Sequence, residues 1–149
     1  MPSKIHIRRA ELGDSRSIAQ LSGQLGYDSS EGEIRARLSK MIDTEDNCIY
    51  VALDQDRIVG WVHALYALRV ESDPFVEIAG LVVDEHDRGQ GIGKILVDRI
   101  INWAESKKCR MIRVRTNVIR KESHKFYEKL AFSLKKEQKI YDLLLLEKR

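Results

Sequence analysis

Arg88-Gly89-Gln90-Gly91-Ile92-Gly93 carries the clearest chemical signal in the chain, because it joins an apolar stretch beginning at Pro74 to an amphipathic run ending near Ile101. A strand feeding a glycine-rich turn at a helix start presents a fan of backbone N–H groups. The first four amides of a helix have no intrahelical partner, and the helix dipole leaves that end partly positive. Such an end takes a phosphate or pyrophosphate without many charged side chains. Glycines at alternate positions let the backbone approach the anion and adopt φ values that other residues resist.

Three phosphate-loop patterns compete for this turn. A Walker loop needs GxxxxGK followed by Ser or Thr, but Arg88 stands where the first glycine belongs and Ile95 follows Lys94. A dinucleotide fingerprint needs GxGxxG early in a doubly wound sheet. Here the glycines come late, and Thr116-Asn117 stands where an acidic residue should end the next strand. The third pattern is Arg-x-x-Gly-x-Gly, filled by Arg88, Gly91 and Gly93. Taken alone, the loop also admits a tight glycine turn with no ligand.

The elements that must position this turn follow from hydrophobic periodicity. Lys4–Arg8 alternates as a short strand, and Asp14 is placed to cap a helix carrying Ile18, Leu21 and Leu25 that stops at Gly26. Ser30 with Glu33 forms a capping-box pattern for a second helix. Asn47–Leu53 and Arg57–Val70 read as a hairpin around Asp54-Gln55-Asp56. Pro74–Val83 is a further strand, Gly91–Ser106 a helix, Arg110–Thr116 a strand and Lys121–Leu130 a helix, with strand through Ile140–Leu146. This order predicts an α/β chain with a mixed sheet of about six to seven strands and about four helices. The sheet is antiparallel in its first half and gains a parallel pair across the Gly91–Ser106 helix.

Length and composition set the frame. The 149 residues, 43% hydrophobic and 33% charged, predict one soluble domain over 1–149. No apolar run approaches the roughly 20 residues that span a bilayer, and Met1–Ala10 lacks a signal-peptide core, so the expected place is the cytoplasm. Cys48 and Cys109 show no CxxC spacing, so two reduced thiols are expected, with no metal. The net charge of +3 is uneven: residues 107–149 hold 14 Lys/Arg against 5 Asp/Glu. Ordinary solvated faces account for that, and a polyanionic ligand is the sharper reading. Nucleic acid is disfavoured because aromatics are not interleaved with the basic residues. The apolar Leu143–Leu146 run points to a homodimer, since such a strand seldom stays unpaired.

Val82-Val83-Asp84-Glu85-His86-Asp87-Arg88-Gly89-Gln90-Gly91-Ile92-Gly93-Lys94 resembles the coenzyme A signature of the GNAT family of acyl-CoA-dependent N-acetyltransferases. Ser123-His124-Lys125-Phe126-Tyr127-Glu128-Lys129-Leu130-Ala131-Phe132 resembles a second family block, AHRFYEKLGF. Ser123 replaces the usual alanine there, and Ala131 the usual glycine. If position 131 is left-handed, alanine costs on the order of 1 kcal/mol of stability.

The resemblance implies transfer of an acetyl group from acetyl-CoA, the co-substrate, to a primary amine of a small molecule or peptide. It gives the pyrophosphate to the backbone of Arg88, Gly89, Gln90, Gly91, Ile92, Gly93 and Lys94, and the pantetheine arm to Leu81, Val82 and Val83. The Val82 amide is expected to polarise the thioester, with Asn117 as a polar partner and Ser123 beside the coenzyme. Tyr127 is implied as general acid toward the leaving thiolate, and Glu77 as base acting through water or holding the ammonium. Each has a plainer alternative: a turn residue at Asn117, solvated cations at Arg88 and Lys94, a packed ring at Tyr127 and a strand glutamate at Glu77. His63 is a second base candidate with a satisfied core histidine as its alternative, while His124 more naturally caps or packs. Asp28, Glu31, Glu71 and Asp73 suit a cationic acceptor such as a polyamine, aminoglycoside or lysine. A coenzyme-holding sensor without catalysis, or transfer of a longer acyl group, are the competing readings.

Overall fold

The computed structural model describes residues 4–116, 118 and 120–146. The chain forms two compact units, Met1–Arg115 and Thr116–Arg149. The first contains β1 (Ile5–Arg9), α1 (Ser15–Gly23), α2 (Glu31–Met41), β2 (Asn47–Asp54), β3 (Arg57–Arg69), β4 (Ser72–Val83), α3 (Ile92–Ser106) and β5 (Ile112–Val114). One-turn 3-10 helices at Leu12–Asp14 and Glu85–Asp87 precede α1 and α3. The second unit holds α4 (Lys121–Lys129).

The sheet runs in the order β1-β2-β3-β4-β5. Its first three pairings are antiparallel and β4–β5 is parallel, as the strand–helix–strand crossover requires. Among the described residues it has five strands rather than six or seven. Residues 131–146 form no strand, and Leu143, Leu144 and Leu145 are more than 80% exposed. A strand exists only where a ladder partner takes its backbone groups, and the apolar content of Ile140–Leu146 cannot supply one. Arg110–Thr116 likewise contracts to three paired residues, Ile112–Val114.

Side chains sort the two faces of the sheet. Ile49 and Val51, alternating along β2, pack with Ile18 of α1 and Leu38 of α2, and Trp61 and Leu53 lie against that cluster. On the other face α3 buries Leu96 and Ile100 completely. Gly60 of β3 lets α3 approach: a Cβ there would stand 3.2 Å from Leu96 Cδ1 and 3.0 Å from the Val82 carbonyl oxygen. Among the described residues, no helix is long and apolar enough to cross a membrane. Cys48 and Cys109 are free thiols.

Helix ends follow the sequence except at α1, which ends at Gly23 rather than running through Leu25 to Gly26, and whose expected cap is not made. The Ser30–Glu33 box closes in both directions, with Glu33 N donating to Ser30 Oγ at 3.1 Å and Ser30 N to Glu33 Oε1 at 2.9 Å. Asp14 occupies the N-cap position of α1 but makes no cap bond to the helix. Its buried carboxylate instead accepts both Arg8 Nη groups, at 2.8 and 2.9 Å, and the Glu11 amide at 2.8 Å. Burial works against the charged form of Asp14, yet those bonds hold its carboxyl below the ordinary carboxylate range.

In the second unit, α4 ends in a Schellman motif. Phe132 N donates to Tyr127 O and Ala131 N to Glu128 O, both at 3.0 Å, with Ala131 left-handed at φ 71°. The accompanying apolar contact is the Phe132 ring, edge-on to Tyr127 at 5.3 Å, with Phe126 at 4.9 Å from the same ring.

Two stability predictions follow from close approach and from backbone handedness. Gly80 of β4 lies under the Trp61 ring, so a Cβ there would meet Cη2 at 2.7 Å and Cζ3 at 2.9 Å. Gly80→Ala should destabilise by about 1–3 kcal/mol in urea unfolding, and an unchanged midpoint would refute this packing. Ala131→Gly should stabilise by about 1 kcal/mol, because glycine removes the left-handed penalty. A loss of stability in the same assay would contradict the cap.

Candidate active site

β4 is the axis of the site. β5 pairs with it only from Val76 to Ile78, whereas β3 stays paired as far as Val83. Beyond Ile78 the β5 side of β4 is therefore an open edge among the described residues. A bulge sits where the edge opens: the β3 register passes from Ile78↔Ala64 to Gly80↔His63, leaving Ala79 without an opposite residue. The bulge also reverses which residues serve which side. Val76 N donates toward β5, to Met111 O at 3.1 Å, while Asp84 N donates toward β3, to Val59 O at 2.8 Å. Alternation then turns the Val82 amide toward β3 and the backbone groups of Leu81 and Val83 toward the open edge. The Val82 amide thus faces β3 rather than that edge. Arg88 Nε reaches the Val83 carbonyl at 3.3 Å, consistent with that assignment.

At the C-terminal end of β4 the chain enters the glycine turn, which is pinned from both sides. Asp84 Oδ1 accepts the His86 amide at 3.0 Å, and Gln24 Oε1 of α1 accepts the Glu85 amide at 2.9 Å. Buried Asp87 takes both Nη groups of Arg57, at 3.1 and 3.2 Å, a two-point ion pair between the turn and β3. Gly89 and Gly91 are left-handed, each at φ 81°, and neither has an atom within 4 Å of where a Cβ would be. Gly91 is the N-cap of α3 and supplies no side-chain cap, so the N-terminal amides of that 15-residue helix are not taken by a side chain. Gly93 and Ile92 are buried, while Gln90 is exposed. Lys94 turns back along its own helix to Asp98 at 2.9 Å.

Toward the N-terminal end of β4 the chemistry changes. Glu77 lies opposite Leu65 on β3 and Arg113 on β5. Leu65 faces Asn47, two residues from Ile49, so Glu77 projects on the sheet face that carries α1 and α2. Its side chain is 17% exposed, and both carboxylate oxygens accept from Arg115 Nε at 3.3 Å, with Arg69 Nη2 at 3.9 Å. His63 is on the same face, its Nε2 at 2.8 Å from Asn47 Oδ1. Burial pushes the His63 imidazole below its usual value, which favours the neutral ring.

The second unit carries the other predicted residues. Tyr127 is buried, and burial pushes its phenol up to about 12, with Arg120 opposing in part. Ser123 is half-buried in the first turn of α4. Asn117 lies outside the described residues. Ala79, Arg57 and the arginines at 69, 113 and 115 stand in no motif of the sequence. Arg113 and Arg115 are two apart in a strand, a spacing that puts both on one face. Nothing in the sequence marks the bulge.

The profile of the Acetyltransferase (GNAT) family matches residues 17–132. The N-acetylaspartate synthetase of Danio rerio is 35% identical over 97 residues, covering 65% of this chain and 33% of that protein. The chain thus spans about a third of the N-acetylaspartate synthetases it matches. An uncharacterised N-acetyltransferase of Bacillus subtilis, YhdJ, is 25% identical over 99 residues, 66% of this chain and 70% of the other. Among solved structures, aminoglycoside N-acetyltransferase AAC(6')-Iy in complex with CoA superposes with a TM-score of 0.84 at 20% identity, covering 96% and 97% of the two chains. Glucosamine-6-phosphate N-acetyltransferase of Arabidopsis thaliana gives 0.80 at 23% identity, with 93% and 98% covered. With its strand order, its parallel crossover and its matched region in agreement, the chain belongs to the GNAT acetyltransferase family.

Proposed function

We propose that the chain transfers an acetyl group from acetyl-CoA to a primary amine by direct attack in a ternary complex. The observation that carries this reading is the juxtaposition at the end of β4. There, an edge lacking a strand partner leads into a helix whose N-terminus is opened by a left-handed glycine. The uncapped amides of α3 suit a pyrophosphate. The open edge at Leu81 and Val83 suits an amide-bearing arm that adds alongside β4 as a further strand would. Both features lie in the first unit and need no side-chain charge.

The chemistry asks three things of the protein. The amine must lose a proton, the thioester oxygen needs a donor as it becomes tetrahedral, and the leaving sulfur needs a proton. A backbone N–H on the open edge beside the bulge serves the oxygen. Glu77 receives the ammonium proton through water, since its two oxygens already accept from Arg115. On the family resemblance, Tyr127 attends the sulfur. Its phenol, pushed up to about 12, stays protonated across the physiological range. Against a thiol near 8.5, complete transfer from such a phenol is uphill by roughly 5 kcal/mol. Tyr127 therefore acts mainly by donating a hydrogen bond as charge develops on sulfur, and the released thiolate takes its proton from solvent.

Relatives support an amine acceptor of small size. One is named for making N-acetylaspartate, and AAC(6')-Iy was solved with a CoA–acetylneamine bisubstrate analogue. We carry over to this chain what they share, N-acetylation of a small amine. The exposed apolar Leu143–Leu146 run supports association with a second copy.

Tyr127→Phe and Glu77→Gln should each lower turnover by roughly 10²-fold while the affinity for acetyl-CoA is kept. Thiol release and calorimetry read the two quantities separately. Full turnover in Tyr127→Phe would remove its role, and absence of acetyl-CoA binding to the folded wild type would overturn the assignment.

A further inference from the structure

We propose that the acceptor amine carries a carboxylate on a short carbon stem, and that Arg69, Arg113 and Arg115 bind it. This rests on the acetyl-transfer reading above and narrows it. Arg113 is in register with Glu77, two residues before the bulge at Ala79, or about 7 Å along the strand. A short amino acid spans that distance, with its carboxylate on the arginines and its amine near the bulge.

The described ion pairs set one carboxylate, Glu77, among the three guanidinium groups: it meets Arg115 at 3.3 Å and Arg69 at 3.9 Å. Arg113 joins no ion pair among the described residues. Instead its Cζ lies over the Phe75 ring, 4.5 Å from the ring centre, and that of Arg69 lies over the same ring at 5.3 Å. Phe75 is completely buried, so it is a fixed platform. A guanidinium is a planar group whose donors form the fork that matches a carboxylate. Arg69 and Arg115 side chains are 49% and 38% exposed, so a solute can reach them.

A polyamine meets the opposite situation. Approaching Glu77, it would face guanidinium groups of its own sign. The acidic residues that suited a cation, Asp28, Glu31, Glu71 and Asp73, are all exposed. None belongs to the paired segment that carries Glu77 and Arg113.

The test compares initial rates of CoA release with L-aspartate, L-glutamate, putrescine and ethanolamine. The acidic amino acids should exceed the carboxylate-free amines by about tenfold or more in kcat/KM. Arg113→Gln should raise KM for the acidic acceptor by a similar factor with acetyl-CoA affinity unchanged, and Arg113→Lys should recover part of that loss. Unchanged acetyl-CoA affinity also shows that each variant is folded. Preferential turnover of putrescine or ethanolamine, or an unmoved KM in Arg113→Gln, overturns the acceptor class and leaves acetyl transfer standing. If none of the four is turned over, calorimetry with succinate on the CoA-loaded protein decides: saturable heat that Arg113→Gln abolishes supports the proposal, and no heat overturns it. Failure to bind acetyl-CoA at all defeats the underlying assignment instead.

Discussion

The separation of β5 from β4 after Ile78 is the constraint on which the site depends. Sheets normally satisfy both sides of an inner strand, and an unpaired backbone row is a liability unless something fills it. Here the opening occurs inside the sheet's one parallel pair, whose crossover helix α3 starts a few residues beyond the end of β4. One stretch of chain thus supplies an unfilled ladder and a helix N-terminus in succession. The bulge at Ala79 sets which amides the ladder offers, because it exchanges the inward and outward sets.

Ion pairs fix this geometry where the backbone alone would not. The turn after β4 needs left-handed glycines at 89 and 91, residues that lower the cost of that conformation but add freedom to the unfolded chain. Arg57–Asp87 and the Gln24–Glu85 contact tie the turn to β3 and α1. At the opposite end of β4, Glu77 and Phe75 hold three arginines near one another. β4 therefore joins two anion-seeking regions of different construction, one made of backbone amides and one of guanidinium groups. The strand direction places the bulge between them.

Much of this was legible in the residues. Alternation and capping patterns located β1 to β4 and α1 to α4 closely, and the Ser30–Glu33 box formed as read. The glycine spacing identified the turn, because φ near +81° at 89 and 91 is a local demand that sequence displays directly. Alanine at 131 departs from the usual glycine, and its left-handed φ makes it a strained residue. What escaped depends on partners distant in sequence. Asp14 is spent on Arg8 rather than on its helix, Ile140–Leu146 has composition without a described ladder, and the bulge turns the Val82 amide away from the open edge. The arginine group was hidden for the same reason: Arg69, Arg113 and Arg115 meet Glu77 only through strand register.

Amide hydrogen exchange with and without acetyl-CoA addresses the open edge most directly. The amides of Leu81 and Val83, and those of residues 91–94 at the start of α3, should become protected on saturation. The Val82 amide, already paired toward β3, should change little. Protection confined to other elements, or none at β4 despite saturable binding, would contradict this.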